Sequence, residues 1–117
     1  MKEYFKDENL TCKCGCGLNN TTKKHRKRLN MARELAGIPF IVKSGSRCIE
    51  HNKNEGGKPT SDHLSGEGTD IKCTNSRDRF RILGAAYAVG FKRIGEAKTF
   101  IHLGENKENP QEVHWQY

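Results

Sequence analysis

SGSRCIEHNKNEGGKPTSDHLSGEGTDIKC, residues 44–73, decides how this chain is read. It joins two β-branched, apolar segments, FIVKSG at 40–45 and TDIKC at 69–73, each of which reads as a short strand. From Gly45 to about Thr69 the glycines, serines and Pro59 demand irregular backbone. Loops of that length inside a compact domain are functional or disordered as a rule, and a bound metal or substrate is one way to order them. The loop ends in SDHLSGEGTD, residues 61–70, where His63 and Asp70 stand seven positions apart. Gly66 and Gly68 between them allow the backbone turn that aims both side chains at one point.

Working outward, Thr22 is a plausible N-cap for a helix to Ala36, stopped by Gly37, Ile38 and Pro39. Its first half is the basic run KKHRKR, residues 23–28, and its apolar positions are Leu29, Met31, Ala32, Leu35 and Ala36. After the loop, Ser76 caps a second helix, RDRFRILGAAYAV, with Phe80, Leu83, Ala86 and Tyr87 at helical spacing and Gly90 as its end. FKRIG and TFIHL are strand candidates separated by EAK, and VHWQY closes the sheet. The pattern predicts an α+β fold, a small and mainly antiparallel sheet with flanking helices, in one domain spanning residues 1–117.

A chain of 117 residues buries a single core. With 33% hydrophobic and 30% charged residues and no apolar run of about eighteen, no membrane span is expected. The opening MKEYFKDENL has no apolar h-region, so no signal peptide is visible. A formal charge of +7 implies attraction to polyanions: nucleic acid, anionic lipid or an anionic cell-wall polymer. Base-specific recognition would need a helix-turn-helix or an aromatic stacking surface, and neither is evident, so nucleic acid is the disfavoured partner and KKHRKR reads as a solvated face.

Five cysteines are many for this length; Cys12, Cys14 and Cys16 crowd into CKCGCG, while Cys48 and Cys73 lie far along the chain. Three readings stay open: a second metal site, disulfides from this run to Cys48 or Cys73, and reduced thiols.

Hydrolytic zinc takes three protein ligands and an open position for water, so His63 and Asp70 need a third partner. Outside the basic run the candidates are His51, His102 and His114. His102 lies in an apolar strand, where an imidazole must find a partner; the other two sit in polar surroundings.

The stretch 44–73 resembles the signature of peptidase family M15, the zinc D-alanyl-D-alanine carboxypeptidases and their phage L-alanyl-D-glutamate endolysin relatives. The family's S-G-x-R, its S-x-H-x-x-G-x-x-x-D and its later strand histidine match Ser44, Gly45 and Arg47, then Ser61, His63, Gly66 and Asp70, then His102. CKCGCG, the following helix and GFKRIG also resemble the short single-domain branch, so the likeness spans nearly the whole chain. The resemblance implies a zinc fold of the kind shared with hedgehog signalling domains, a zinc ion held by His63, Asp70 and His102, and Arg47 at the scissile bond. It implies peptidoglycan stem peptides as substrate, with release to the cell wall in phage lysis, in a virion or by another route. A guanidinium can steady an oxyanion or clasp a carboxylate bidentately. Ser61 orients the loop or the substrate, or caps a turn.

Relatives usually carry an acidic residue three positions before the last ligand, where this chain has Thr99. Glu96, six ahead of His102, matches the separation in the hedgehog cousin and is the candidate general base, with His114 its rival. Six residues of straight strand span roughly 20 Å, so Glu96 reaches the site only if the chain turns back. The short branch also often has an aspartate two residues after the strand histidine; here that position is Gly104.

Overall fold

The computed structural model describes residues 2–117. Its elements are α1 (Asp7–Leu10), α2 (Lys23–Ala36), β1 (Val42–Ser44), α3 (Ile49–Asn54), β2 (Gly68–Lys72), α4 (Ser76–Ala88), β3 (Arg93–Glu96), β4 (Phe100–Gly104) and β5 (Val113–Gln116). The strands form one sheet in the order β1-β2-β4-β3-β5, antiparallel except where β5 joins β3 in parallel. The α+β class and the mainly antiparallel sheet are as expected.

Helix α2 begins where the sequence says it should. The Thr22 hydroxyl accepts the His25 N–H, and Gly37 ends the helix in the left-handed region at φ 71°. Helix α4 differs by one residue at its start, because the Asn75 side chain, not that of Ser76, accepts the Asp78 N–H. Its buried stripe is Ile82, Ala85 and Ala86, whereas Phe80 and Tyr87 are exposed. Two apolar stripes share the same periodicity there, and the sheet takes the one with the smaller side chains. The loop after β1 is also less irregular than expected, since α3 occupies part of it, with Cys48 Sγ accepting the His51 N–H at 3.3 Å.

Register assigns the two faces of the sheet. Asp70, His102, Gly95 and Trp115 stand in one row across β2, β4, β3 and β5 and so share a face. Their neighbours Ile71, Ile101, Leu103 and Ile94 point the other way and are fully buried with Leu29, Ala32, Ile82, Ala85 and Ala86 of α2 and α4. Helices cover the core face, and the 45–67 segment lies across the other. Gly68 permits the overlap: a Cβ there would come within 2.9 Å of the His63 nitrogen and 2.6 Å of the Asp62 side chain.

The basic run is not one solvated surface. His25 is completely buried, with Nδ1 2.6 Å from Glu105 Oε2 and Nε2 2.8 Å from the Thr69 hydroxyl. Arg26 is tied to Glu3 and Arg28 to Glu105. Lys23, Lys24 and Lys27 remain exposed.

Candidate metal centre

His63 arrives on the turn before β2, Asp70 from the middle of β2 and His102 from its direct cross-strand partner on β4. All three are buried, and one donor atom from each lies within 4.8 Å of the others. A single carboxylate oxygen is the focus: Asp70 Oδ1 is 3.2 Å from His63 Nε2 and 2.8 Å from His102 Nδ1. A tetrahedral zinc with nitrogen and oxygen ligands at about 2.0–2.1 Å separates its donors by about 3.4 Å, close to this spacing.

The outer nitrogens decide what the inner ones can do. His63 Nδ1 lies 2.7 Å from the Gly45 carbonyl, which only accepts, so Nδ1 carries the proton and donates it. Burial pushes the His63 imidazole below its ordinary value despite the Asp70 hydrogen bond, which favours the neutral ring. In the neutral ring with Nδ1 protonated, Nε2 presents a lone pair to a carboxylate oxygen. A cation resolves that conflict.

His102 has the same outward anchoring. Its Nε2 lies 2.8 Å from Asp62 Oδ2, so Asp62, His102 and the cluster form the carboxylate–histidine relay that orients metal-binding imidazoles. Burial opposes charge on His102, but hydrogen bonds to Asp62 and Asp70 outweigh it and push the ring up to about 9. In the metal-free protein a proton thus sits where a metal would sit. Burial likewise works to raise the Asp62 carboxyl, and His102 and Arg93 outweigh it, holding the group down to about 2. Asp70 is held below the ordinary carboxylate range by His102 and His63 against the penalty of burial.

Asp62 is the residue at the cluster that sequence reasoning missed. Arg93 Nε donates to both its oxygens, at 3.0 and 3.1 Å, and the Asn106 N–H donates to Oδ1. Its place also accounts for Gly104. A Cβ on residue 104 would lie 2.3 Å from Asp62 Oδ2 and 2.7 Å from His102 Nε2, so the Asp62 carboxylate fills the space that an aspartate at 104 would need.

Arg47 stands beside the cluster. Its Nη2 is 3.4 Å from Asp70 Oδ2, the oxygen the histidines leave free, and Nε and Nη1 are held by Ser44 Oγ at 2.9 Å and Asn52 Oδ1 at 3.3 Å. The Ser61 hydroxyl accepts the His63 N–H at 3.2 Å, which makes it a cap for the ligand-bearing turn. Trp115 walls the site: its ring centroid lies 5.6 Å from that of His102, and Gly95 makes room for the indole, since a Cβ there would approach it to 2.6 Å.

Glu96 does not join them. It pairs with Ile101, not His102, and so projects from the core face. There its carboxylate accepts from Arg79 Nη1 at 3.2 Å and lies 2.7 Å from His114 Nε2. His114 pairs with Ile94 and shares that face. The expectation that Glu96 is the general base is therefore corrected, and His114 falls with it: the sheet stands between both and the cluster. His51 is also apart, lying 3.5 Å from Glu55 on α3.

The group is thus a buried His-Asp-His set that can hold a metal ion, with a guanidinium beside it. Among the described residues no helix is long and apolar enough to cross a membrane. A family model described as Peptidase M15 matches residues 3–104, which include every residue of the cluster. No curated protein matches the chain.

Proposed function

The chain belongs to the peptidase M15 family, and from that membership we propose that it is a zinc-dependent peptidase acting on peptidoglycan stem peptides, as a D-alanyl-D-alanine carboxypeptidase or related endopeptidase. One observation carries the reading: an imidazole nitrogen of His63 and a carboxylate oxygen of Asp70 face each other at 3.2 Å, buried, with a second imidazole 2.8 Å from the same oxygen. His63, Asp70 and His102 would hold a zinc ion, which when bound would polarise a carbonyl and lower the pKa of coordinated water to about 7.

The protein's own residues supply orientation and charge. Asp62 and the Gly45 carbonyl fix the two imidazoles through their outer nitrogens, so neither ring needs to turn when a metal enters. Arg47, anchored by Ser44 and Asn52, presents a fixed guanidinium beside Asp70, suited to a developing oxyanion or a terminal carboxylate. Trp115 gives the peptide an apolar wall. The +7 charge favours approach to an anionic envelope, consistent with a phage lysis or virion role or another route of release to the wall.

The test is release of amino groups from purified peptidoglycan, with and without chelator, by wild type and His63→Ala. Zinc-dependent release by wild type alone is expected; free D-alanine identifies a carboxypeptidase, and new internal amino termini an endopeptidase. A second reading, a zinc-stabilised wall- or protein-binding module without turnover, draws on Glu96 and His114 lying across the sheet from the cluster. Retention on peptidoglycan with no release by the zinc-loaded protein selects it.

A further inference from the structure

We propose that Cys12, Cys14, Cys16 and Cys48 form a second, structural metal site that takes zinc as a tetrathiolate. Their sulfurs all lie within 4.8 Å of one another. The Cys12 and Cys14 sulfurs are 3.4 Å apart, and those of Cys14 and Cys48 3.7 Å apart. A tetrahedral zinc with Zn–S bonds of about 2.3 Å has sulfur–sulfur edges of about 3.8 Å, so four thiols already stand near the corners that one ion requires.

The local backbone builds this arrangement from a spacing that common zinc knuckles do not use. Residues 12–18 close a loop through the Cys12 N–H, which donates to Leu18 O at 2.7 Å. Gly15 and Gly17, at φ 91° and 83°, take left-handed conformations that curl the loop, letting Cys12, Cys14 and Cys16 converge on one point, whereas along a straight strand they would share a face but stand about 7 Å apart in succession. Backbone N–H groups point at the sulfurs: Cys48 N to Cys12 Sγ at 3.4 Å and His51 N to Cys48 Sγ at 3.3 Å. Such donors stabilise thiolate over thiol, as outer hydrogen bonds do around metal-bound cysteine. The fifth cysteine, Cys73, is buried in the hydrophobic core and belongs to no such group.

The site does structural work because of what it joins. Cys48 follows Arg47 directly and caps α3, while Cys12 follows α1. The two segments already touch, through Ser46 N–H to Leu10 O at 2.9 Å. An ion shared between them cross-links the amino-terminal segment to the segment that presents Arg47. Binding releases the thiol protons and moves no electrons; soft sulfur ligands in tetrahedral array select zinc over calcium or magnesium.

The full chain, reduced and loaded with zinc, is expected to hold two ions, and His63→Ala one. Cobalt(II) added to reduced His63→Ala, in which the histidine site is broken, should give a thiolate-to-cobalt charge-transfer band in the near ultraviolet. Cys16→Ser, at an exposed position where folding is least at risk, should remove most of that band, and Cys73→Ser should leave it intact. Absence of the band in both reduced wild type and His63→Ala, or a band unchanged by Cys16→Ser, overturns the proposal, as does an intact mass lower by four hydrogens in protein that takes up no metal after reduction.

Discussion

Asp62 Oδ2 lies 2.8 Å from His102 Nε2, in the volume that a side chain at residue 104 would occupy. The aspartate thus anchors the outer nitrogen of His102 while its chain neighbour, His63, enters the same cluster. Asp62→Asn keeps the shape but loses the charge and can leave an amide N–H facing an imidazole N–H. The expected outcome is a 10- to 100-fold weaker zinc affinity, about the usual effect of removing an outer carboxylate, read by competition with a zinc chelator. Unchanged affinity would remove Asp62 from the centre.

Arg47→Lys should retain zinc but lower kcat/KM. Lysine has one nitrogen where arginine places three toward Ser44, Asn52 and Asp70. Loss of charge-assisted hydrogen bonds to substrate predicts a drop of roughly ten- to a hundredfold on a stem-peptide substrate. Equal kcat/KM with equal zinc content contradicts the positioning role.

Glu96→Gln should turn over substrate within about threefold of wild type, whereas loss of a general base typically costs 10²-fold or more. The carboxylate hydrogen-bonds to Arg79 and His114 on the core face, so a small drop in melting temperature is the effect to look for. A hundredfold loss of kcat with zinc retained would show that the strand pair rearranges in the working enzyme.

Acidity should act oppositely on the metal-free and zinc-loaded forms. His102 is raised from 6.5 to about 9, so its contribution is complete below about pH 6.5 and is lost as pH rises through 9. That contribution is no more than about 3 kcal/mol. Zinc must displace the same proton, so its affinity increases over that window. Thermal melts with chelator and with zinc, from pH 6 to 9.5 in steps of about half a unit, should diverge as pH rises. Curves that converge would contradict the assignment of the proton to His102.

The cluster of His63, Asp70 and His102 was legible because its residues sit in an ordered motif and the strands around them alternate clearly. Asp62 was not, because a carboxylate beside a motif histidine looks like any turn residue until a strand forty positions later brings His102 to it. The face of Glu96 was hidden for a related reason. An even separation of six residues places 96 and 102 on one face of a continuous strand, but the turn at 97–99 resets the phase, pairing Glu96 with Ile101. In α4, Phe80 and Tyr87 lie on a stripe as apolar as the one that is buried, and only the sheet chooses between them.

The adjacency of Asp62 and His63 makes the length of this turn as consequential as its chemistry. Both side chains are delivered by one peptide unit, with the Glu67 N–H bonded to Asp62 O and the Gly66 N–H to His63 O behind them. A residue added or removed between Ser61 and Asp70 would shift His63 and the anchor of His102 together, a displacement that a change of one rotamer would not restore. Insertions are better placed in the exposed stretch at residues 53–56, beyond α3's contact with Arg47.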